Sequence, residues 1–193
     1  MIEYDFTEIS RFSVIDTCAI LNIFSSEKFY NAIISADFSF CYTSFVEYET
    51  FFKTVKVLTK EIQNQRDKLR QETCKKRFRC EHLSIDDLQE IKILEARKRL
   101  GKGELSSIAF AKKTNQPFMT DDQGARKLGE EILGKQNVLT SPRILGWLYF
   151  HRILIDSDHK DVISEHKNSG RNMAGIYDDV YQEAVRRLYT CYF

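Results

Sequence analysis

Short apolar runs alternate with helix-favouring segments along the first 140 residues of the chain. Polar residues that can cap a helix follow several of these runs, as Thr17 does after residues 12–15. The predicted strands are residues 12–15, 38–42, 117–120 and 137–139, and the helices among them begin near Thr17, Glu27, Ser44, Ser84, Glu104 and Gln123. Strands that alternate with helices favour right-handed crossovers and a mainly parallel sheet covered on both faces. The pattern therefore predicts an α/β fold.

Two further segments lack this alternation. Residues 53–79 favour one long helix, which ends in the strongly basic stretch of residues 74–80. After Ser141 the pattern is helical to the end, with predicted helices at residues 144–155, 158–167 and 173–189. We therefore expect an α/β domain at residues 1–140 and a helical C-terminal extension at residues 141–193 packed on it.

Charge and composition limit the classes of protein to consider. The 29 basic and 28 acidic side chains leave a net charge of +1, so any attraction to nucleic acid must come from local patches. No apolar stretch approaches the roughly 20 residues that span a bilayer, and the first ten residues do not resemble a secretory signal. The five cysteines form no regular disulfide framework. We therefore expect a soluble cytoplasmic protein with reduced thiols and no membrane partner.

Carboxylates occupy the places where predicted strands end and helices begin. They are Asp16 after the first strand, Asp121 and Asp122 after the strand at residues 117–120, Glu104 in the first turn of its helix, and Glu49 or Glu47 about one turn into the helix after the second strand. In a parallel α/β sheet, ligands gather at this edge. Hard divalent cations relieve the repulsion among such acids, and Mg²⁺ or Mn²⁺ prefers oxygen ligands. With no catalytic His or nucleophilic Ser beside them, the acids indicate hydrolysis by water activated at a metal ion.

The acids fall within four short motifs: Val14-Ile-Asp16-Thr17, Thr43-Ser-Phe-Val-Glu-Tyr-Glu49, Gly101-Lys-Gly103-Glu104 followed by Ile108-Ala-Phe-Ala111, and Phe118-Met-Thr120-Asp121-Asp122. Together these motifs resemble those of PIN domains, the fold of VapC-type toxin ribonucleases and of several RNA-processing nucleases. The resemblance covers roughly residues 12–140. It implies a three-layer α/β/α sandwich around a central, mainly parallel sheet.

The resemblance also implies a function and a site. The function is an endoribonuclease that hydrolyses phosphodiester bonds of RNA, expected to be single-stranded, with Mg²⁺ or Mn²⁺ and without a covalent intermediate. The residues that match the family's metal-site acids are Asp16, Glu49, Glu104 and Asp122, with Asp121 as a competitor or fifth member and Thr17 and Thr120 as supporting hydroxyls. Glu47 competes with Glu49, because two residues about 200° apart on a helix cannot both face the site. A toxin role with a cognate antitoxin is implied too, as is a possible homodimer, although the long stretch between Glu49 and Glu104 departs from a minimal toxin.

Other interpretations stay open at this point. Asp16 is placed as a helix cap and Glu104 as a favourable helix-dipole residue, so the acids could be structural in a binding or regulatory module. A DNA nuclease or a metal-dependent phosphatase would use similar acids, although Asp16-Thr17-Cys18 lacks the Asp-x-Asp of aspartate-nucleophile phosphatases. Cys74, Cys80 and His82 supply three of the four ligands of a zinc site, but their spacing fits no common finger.

Overall fold

The computed structural model describes residues 6–53 and 59–190. Five strands form one sheet in the order β3-β2-β1-β4-β5, and every neighbouring pair is parallel. The strands are β1 (Phe12–Ile15), β2 (Ser39–Thr43), β3 (Phe78–Glu81), β4 (Phe118–Met119) and β5 (Val138–Leu139). The helices are α1 (Thr17–Ile23), α2 (Glu27–Ser35), α3 (Ser44–Phe51), α4 (Lys60–Cys74), α5 (Ile85–Arg97), α6 (Lys102–Thr114), α7 (Gln123–Leu133), α8 (Ser141–Phe150), α9 (Asp156–Asn168) and α10 (Ala174–Thr190). This architecture confirms the predicted α/β fold with a parallel sheet.

The chain divides into two compact units. The sheet unit comprises residues 12–21 and 39–139, and the helical unit comprises the described parts of residues 1–11, 22–38 and 140–193. In the sheet unit, Val14 on the central strand pairs with Cys41 on one side and with Phe118 on the other. These three side chains are buried in one core with residues of α5, α6 and α7. The carboxyl ends of β1, β2 and β4 are thereby fixed next to one another.

The helical unit is held together by close packing of its helices. In α8, a Cβ added at Gly146 would fall 2.4 Å from Phe6 and 2.6 Å from Val180, so these segments pack closely against the helix. His166 is fully buried, accepts a hydrogen bond from the backbone N–H of Met173 and contacts the hydroxyl of Ser25. Burial lowers the pKa of His166 to about 4, so the imidazole is neutral in the folded protein at physiological pH. No helix in the described part of the chain is both long enough and apolar enough to cross a bilayer.

The segment between α3 and α5 differs from the prediction of one helix over residues 53–79. The helix α4 ends at Cys74, and the basic stretch after it continues into β3 at the edge of the sheet. Phe78 is buried against Phe40, with ring centroids 5.0 Å apart, and this contact anchors the strand. Lys75 and Arg77 pair with the buried carboxylate of Glu72. The prediction agrees with α4 at residues 60–74 and is wrong after Cys74, because the surrounding basic residues hid a strand that pairs with β2. Residues 54–58 of the predicted helix lie outside the described residues.

Candidate metal centre

Asp16 stands at the carboxyl end of the central strand and is 1% exposed. Its backbone N–H continues the sheet by donating to the carbonyl of Met119. One carboxylate oxygen accepts a hydrogen bond from the backbone N–H of Ala19 at 2.9 Å, which caps the start of α1. The other oxygen accepts a hydrogen bond from the hydroxyl of Thr120. Both oxygens of Asp16 are therefore fixed in position by groups of the fold.

Thr120 connects two acids of the site. Its hydroxyl donates to Asp16 and accepts from the backbone N–H of Asp122 at 3.1 Å. Asp122 is the N-cap of α7, where its Oδ1 accepts from the N–H of Ala125 at 2.7 Å. Asp121 lies close enough to Asp16 for its charge to raise the pKa of that carboxyl. The end of β4 thus places two carboxylates beside the end of β1.

Glu49 reaches the same edge from α3. Its Oε2 accepts from the hydroxyl of Thr17 at 3.2 Å, and its Oε1 accepts from the backbone N–H of Gly103 at 3.2 Å. The N–H of Gly103 belongs to the first turn of α6 and has no partner within that helix, so a carboxylate is a favourable acceptor there. A Cβ at Gly103 would lie 2.3 Å from Glu49 Oε2, so a glycine is required for this approach.

Glu47 lies elsewhere. It lies near Cys80, where burial and the charge of this carboxylate raise the pKa of the thiol to about 12. The side chains of Glu47 and Glu49 therefore lie in different surroundings, as their separation of about 200° around the helix predicts. Of the two, Glu49 is the one that joins Asp16 and Glu104.

Glu104 is held at the start of α6. Its Oε2 accepts from the backbone N–H of Gly101, the N-cap residue of the helix, at 2.8 Å. A pair of hydroxyls next to this turn ties α6 to the sheet, since Thr43 and Ser106 lie 2.6 Å apart and Ser106 also donates to the carbonyl of Gly103. Glu104 is consequently fixed by its own helix and by the end of β2.

Mutual repulsion marks these carboxylates as one cluster. Burial raises the pKa of Asp16 to about 8, and the charges of Asp121 and Glu104 contribute in the same direction against the two hydrogen bonds. Burial also raises the pKa of Glu104, with further contributions from Asp122 and Glu49. The ammonium of Lys53 acts in the opposite direction on Glu104. Buried acids that repel one another are stabilised by a cation, which favours their ionised forms.

The donor set suits a hard divalent ion, although the acids are not drawn tightly together. Among residues 6–53 and 59–190, no three His, Cys, Asp or Glu side chains lie close enough to form a ready metal site. Mg²⁺ retains several of its own waters and takes one or two carboxylates directly, so it does not need a closed cage of protein ligands. All the donors here are carboxylate oxygens, which Mg²⁺ and Mn²⁺ prefer. Asp16, Glu49, Glu104, Asp121 and Asp122 are the residues that could hold such an ion.

All seven residues that the sequence singled out for this site meet at one edge of the sheet. Sequence reasoning missed Gly103 as the residue that admits Glu49, and it missed Lys53 as a charge that acts on Glu104. The glycine just before an acid in the first turn of α6 was the available signal. The zinc alternative gains no support in the described residues, where no group of potential metal ligands includes Cys74, Cys80 or His82.

Comparison with known proteins gives one family. The family model described as PIN domain matches residues 13–131, which is more than half of the chain and includes all the acids described above. Comparisons with curated proteins and with solved structures found no match. From the family match, we conclude that this chain belongs to the PIN-domain family, whose members are generally nucleases.

Proposed function

We propose that the protein is a metal-dependent endoribonuclease that hydrolyses RNA phosphodiester bonds at the carboxylate cluster. The observation that carries the proposal is the burial of Asp16 beside other acids, which raises its pKa to about 8. The match to a family whose members are generally nucleases supports the same chemistry. An acid cluster that is destabilised without a cation supports it as well. Mg²⁺ or Mn²⁺ would supply an activated water and a counter-charge for the phosphate.

The chain's own groups fix where the carboxylate oxygens lie. Thr120 and the N–H of Ala19 orient Asp16, while Thr17 and the N–H of Gly103 orient Glu49. Held in this way, the carboxylates need little reorganisation when a phosphate and its cation arrive, which favours catalysis. No Ser or Cys nucleophile is required, so the attacking group is water and no covalent intermediate forms.

A purely structural role for the acids is the main alternative, and three of them do cap helices. Asp16, Glu104 and Asp122 each accept a hydrogen bond from a backbone N–H at a helix start. Capping is equally effective at the surface, however, and it gives no reason to bury Asp16 at 1% exposure among other acids. Because ionised Asp16 costs free energy in the metal-free fold, we favour the catalytic role.

The proposal is tested by incubating the wild-type protein with labelled single-stranded RNA, with DNA of the same sequence and with a phosphomonoester. Each substrate is tested with Mn²⁺, with Mg²⁺ and with EDTA. We expect the RNA to be cut internally with either metal and to stay intact with EDTA. Cleavage of DNA without cleavage of RNA would identify a DNA nuclease, and release of phosphate alone would identify a phosphatase. A folded protein that cuts none of the three would contradict the enzymatic proposal.

Replacing Gly103 by Ala is expected to lower RNA cleavage by about tenfold to 100-fold, the usual effect of disturbing a group that orients a metal ligand. The new methyl group would displace the Glu49 carboxylate, since its Cβ would fall 2.3 Å from Oε2. The fold should tolerate the change, because a flexible side chain can move and Ala favours a helix by about 0.5–1 kcal/mol over Gly. Initial cleavage rates and thermal unfolding measure the two effects.

Gly175→Ala is the matched control for Gly103→Ala. Gly175 is also the second residue of its helix, α10, and a Cβ there would meet nothing within 4 Å. We expect this variant to gain stability and to retain the wild-type cleavage rate. Equal cleavage by both variants would show that the approach of Glu49 to Gly103 has no role in the reaction.

A further inference from the structure

Two exposed aromatic rings lie at the C-terminal end of α3, Tyr48 in its last turn and Phe52 at its C-cap. Tyr48 is 56% exposed and Phe52 is 68% exposed. The rings are nearly parallel, at 21°, with their centroids 6.3 Å apart. Single exposed hydrophobic residues are common and need no explanation, but a stacked pair of rings facing solvent is a defined surface. We call Tyr48 and Phe52 the aromatic pair.

The aromatic pair lies in the last turn and at the C-cap of the helix that supplies Glu49. Tyr48 directly precedes Glu49, and Phe52 follows it by three residues, so Phe52 and Glu49 lie on neighbouring positions of the helix surface. One helical turn advances about 5.4 Å along the axis, so the rings and the carboxylate lie within about one turn of each other. A polymer bound at the acids would therefore pass close to the rings.

Positive charges flank the aromatic pair. Lys53 follows Phe52 directly and acts electrostatically on Glu104. The ammonium of Lys102, the residue before Gly103, lies 5.9 Å from the ring centroid of Phe45. Phe45 is one turn before Tyr48 on α3. Phosphates of a bound nucleic acid would contact these two lysines, while its bases would contact the aromatic pair. This alternation of cation and aromatic ring is typical of surfaces that bind single-stranded nucleic acid.

We propose that Tyr48 and Phe52 form a stacking platform for an unpaired base of the RNA substrate, adjacent to the bond that is cut. This inference rests on the proposed endoribonuclease function and adds the two residues that would hold an unpaired base of the substrate. Bases in a duplex are already stacked and paired, so their faces are not accessible to the rings. A protein partner is the less favoured occupant, since a standard protein interface takes about 20–30 residues from each side and, in the described part of α3 and its C-cap, this surface offers two exposed rings.

The test measures binding rather than cleavage, so it is independent of the proposed reaction. All variants are made in an Asp16→Asn background with Mg²⁺ present, and the affinity for a labelled single-stranded RNA is measured by fluorescence anisotropy. Tyr48→Leu with Phe52→Leu keeps an apolar surface and removes both π-faces, and we expect about tenfold weaker binding. Tyr48→Phe with Phe52→Tyr keeps both rings and should bind like the parent. Binding of a perfectly paired duplex should not change in either variant.

Tyr189→Ala is the control for the loss of an exposed aromatic residue, because Tyr189 is 66% exposed on α10. It should leave the affinity unchanged. The platform is overturned if the leucine variant binds single strands as tightly as the parent, if Tyr189→Ala loses as much affinity, or if the parent binds no single-stranded RNA. If the wild type cuts RNA and the leucine variant binds it with unaltered affinity, the stacking platform is contradicted and the nuclease function is not. If binding depends on the rings but the wild type cuts no RNA, the nuclease function is contradicted and the platform is not.

Discussion

Asp16→Asn is expected to lower RNA cleavage by at least about 100-fold and, in the same protein, to raise the thermal stability of the metal-free fold. The loss of activity follows because Asp16 is the most buried acid of the cluster and, in our account, a direct metal ligand; even groups that merely orient ligands cost about 10–100-fold. The gain in stability follows because Asn is neutral in both the folded and the unfolded state, whereas Asp16 must take up a proton to be buried at neutral pH. Cleavage assays and thermal unfolding in EDTA measure both results.

The stability gain should depend on pH in a defined direction. Burial raises the pKa of Asp16 in the folded protein to about 8, whereas its ordinary value is 3.8. Below pH 3.8 the carboxyl is protonated in both states, and the wild type and the variant should be similar. As pH rises towards 8, the unfolded state loses this proton while the folded state keeps it, so the free energy of unfolding of the wild type falls, by up to about 4 kcal/mol at pH 7.

Mn²⁺ should reverse this difference, because a bound cation stabilises the ionised carboxylate in the wild type and has a weaker site in Asp16→Asn. An Asp16→Asn variant that cuts RNA normally would contradict the role of Asp16 in the reaction. A wild-type stability in EDTA that did not fall, relative to the variant, between pH 4 and pH 8 would contradict the raised pKa of Asp16.

Glu49→Gln is expected to reduce cleavage by about 100-fold or more, whereas Glu47→Gln should stay within a few-fold of the wild type. Both residues are glutamates of α3 and both changes are isosteric, so the pair separates a role in the site from a general effect on the helix. The expectation rests on the contacts of Glu49 with Thr17 and Gly103 and on the contact of Glu47 with Cys80. Initial rates at saturating Mn²⁺ provide the measurement.

The affinity for Mn²⁺ adds an independent measurement for the same pair. Glu49→Gln should bind the ion more weakly, and Glu47→Gln should bind it as the wild type does. If Glu47→Gln loses activity and Glu49→Gln retains it, the assignment of the second motif is reversed. If neither changes activity, α3 contributes no acid to the reaction.

Several elements could be predicted from the sequence because local signals agreed with the fold. The apolar run of residues 12–15 followed by Asp16 gave β1 and the start of α1, and the predicted helix start at Gln123 is the observed start of α7. Asn115 is the C-cap of α6 and adopts a left-handed conformation, with φ of 52°, which is common at helix ends. The carboxyl ends of parallel strands lie at one edge of the sheet, so the positions of the acids after the predicted strands also indicated that they would lie near one another.

Other features depended on contacts that one-dimensional patterns do not contain. The strand β3 has four residues, one of them a buried aromatic, and its pairing with β2 decides its structure. The choice of Glu49 over Glu47 required the position of α3 relative to α6. Gly103 was visible as part of a motif, but its function became clear from the 2.3 Å approach of Glu49 to the position of a missing Cβ.

The metal dependence of the acid cluster is tested by titrating the wild type and Glu104→Gln with Mn²⁺, with ion binding measured by calorimetry and RNA cleavage followed on the same samples. Glu104 is held by Gly101, and its pKa is raised by burial and by Asp122 and Glu49, so it belongs to the same cluster. We predict that the wild type binds Mn²⁺, that cleavage rises with occupancy, and that Glu104→Gln binds more weakly and cuts at least about tenfold more slowly. A folded wild type that cuts RNA equally well in EDTA, or that binds no Mn²⁺ at millimolar concentration, would contradict the account.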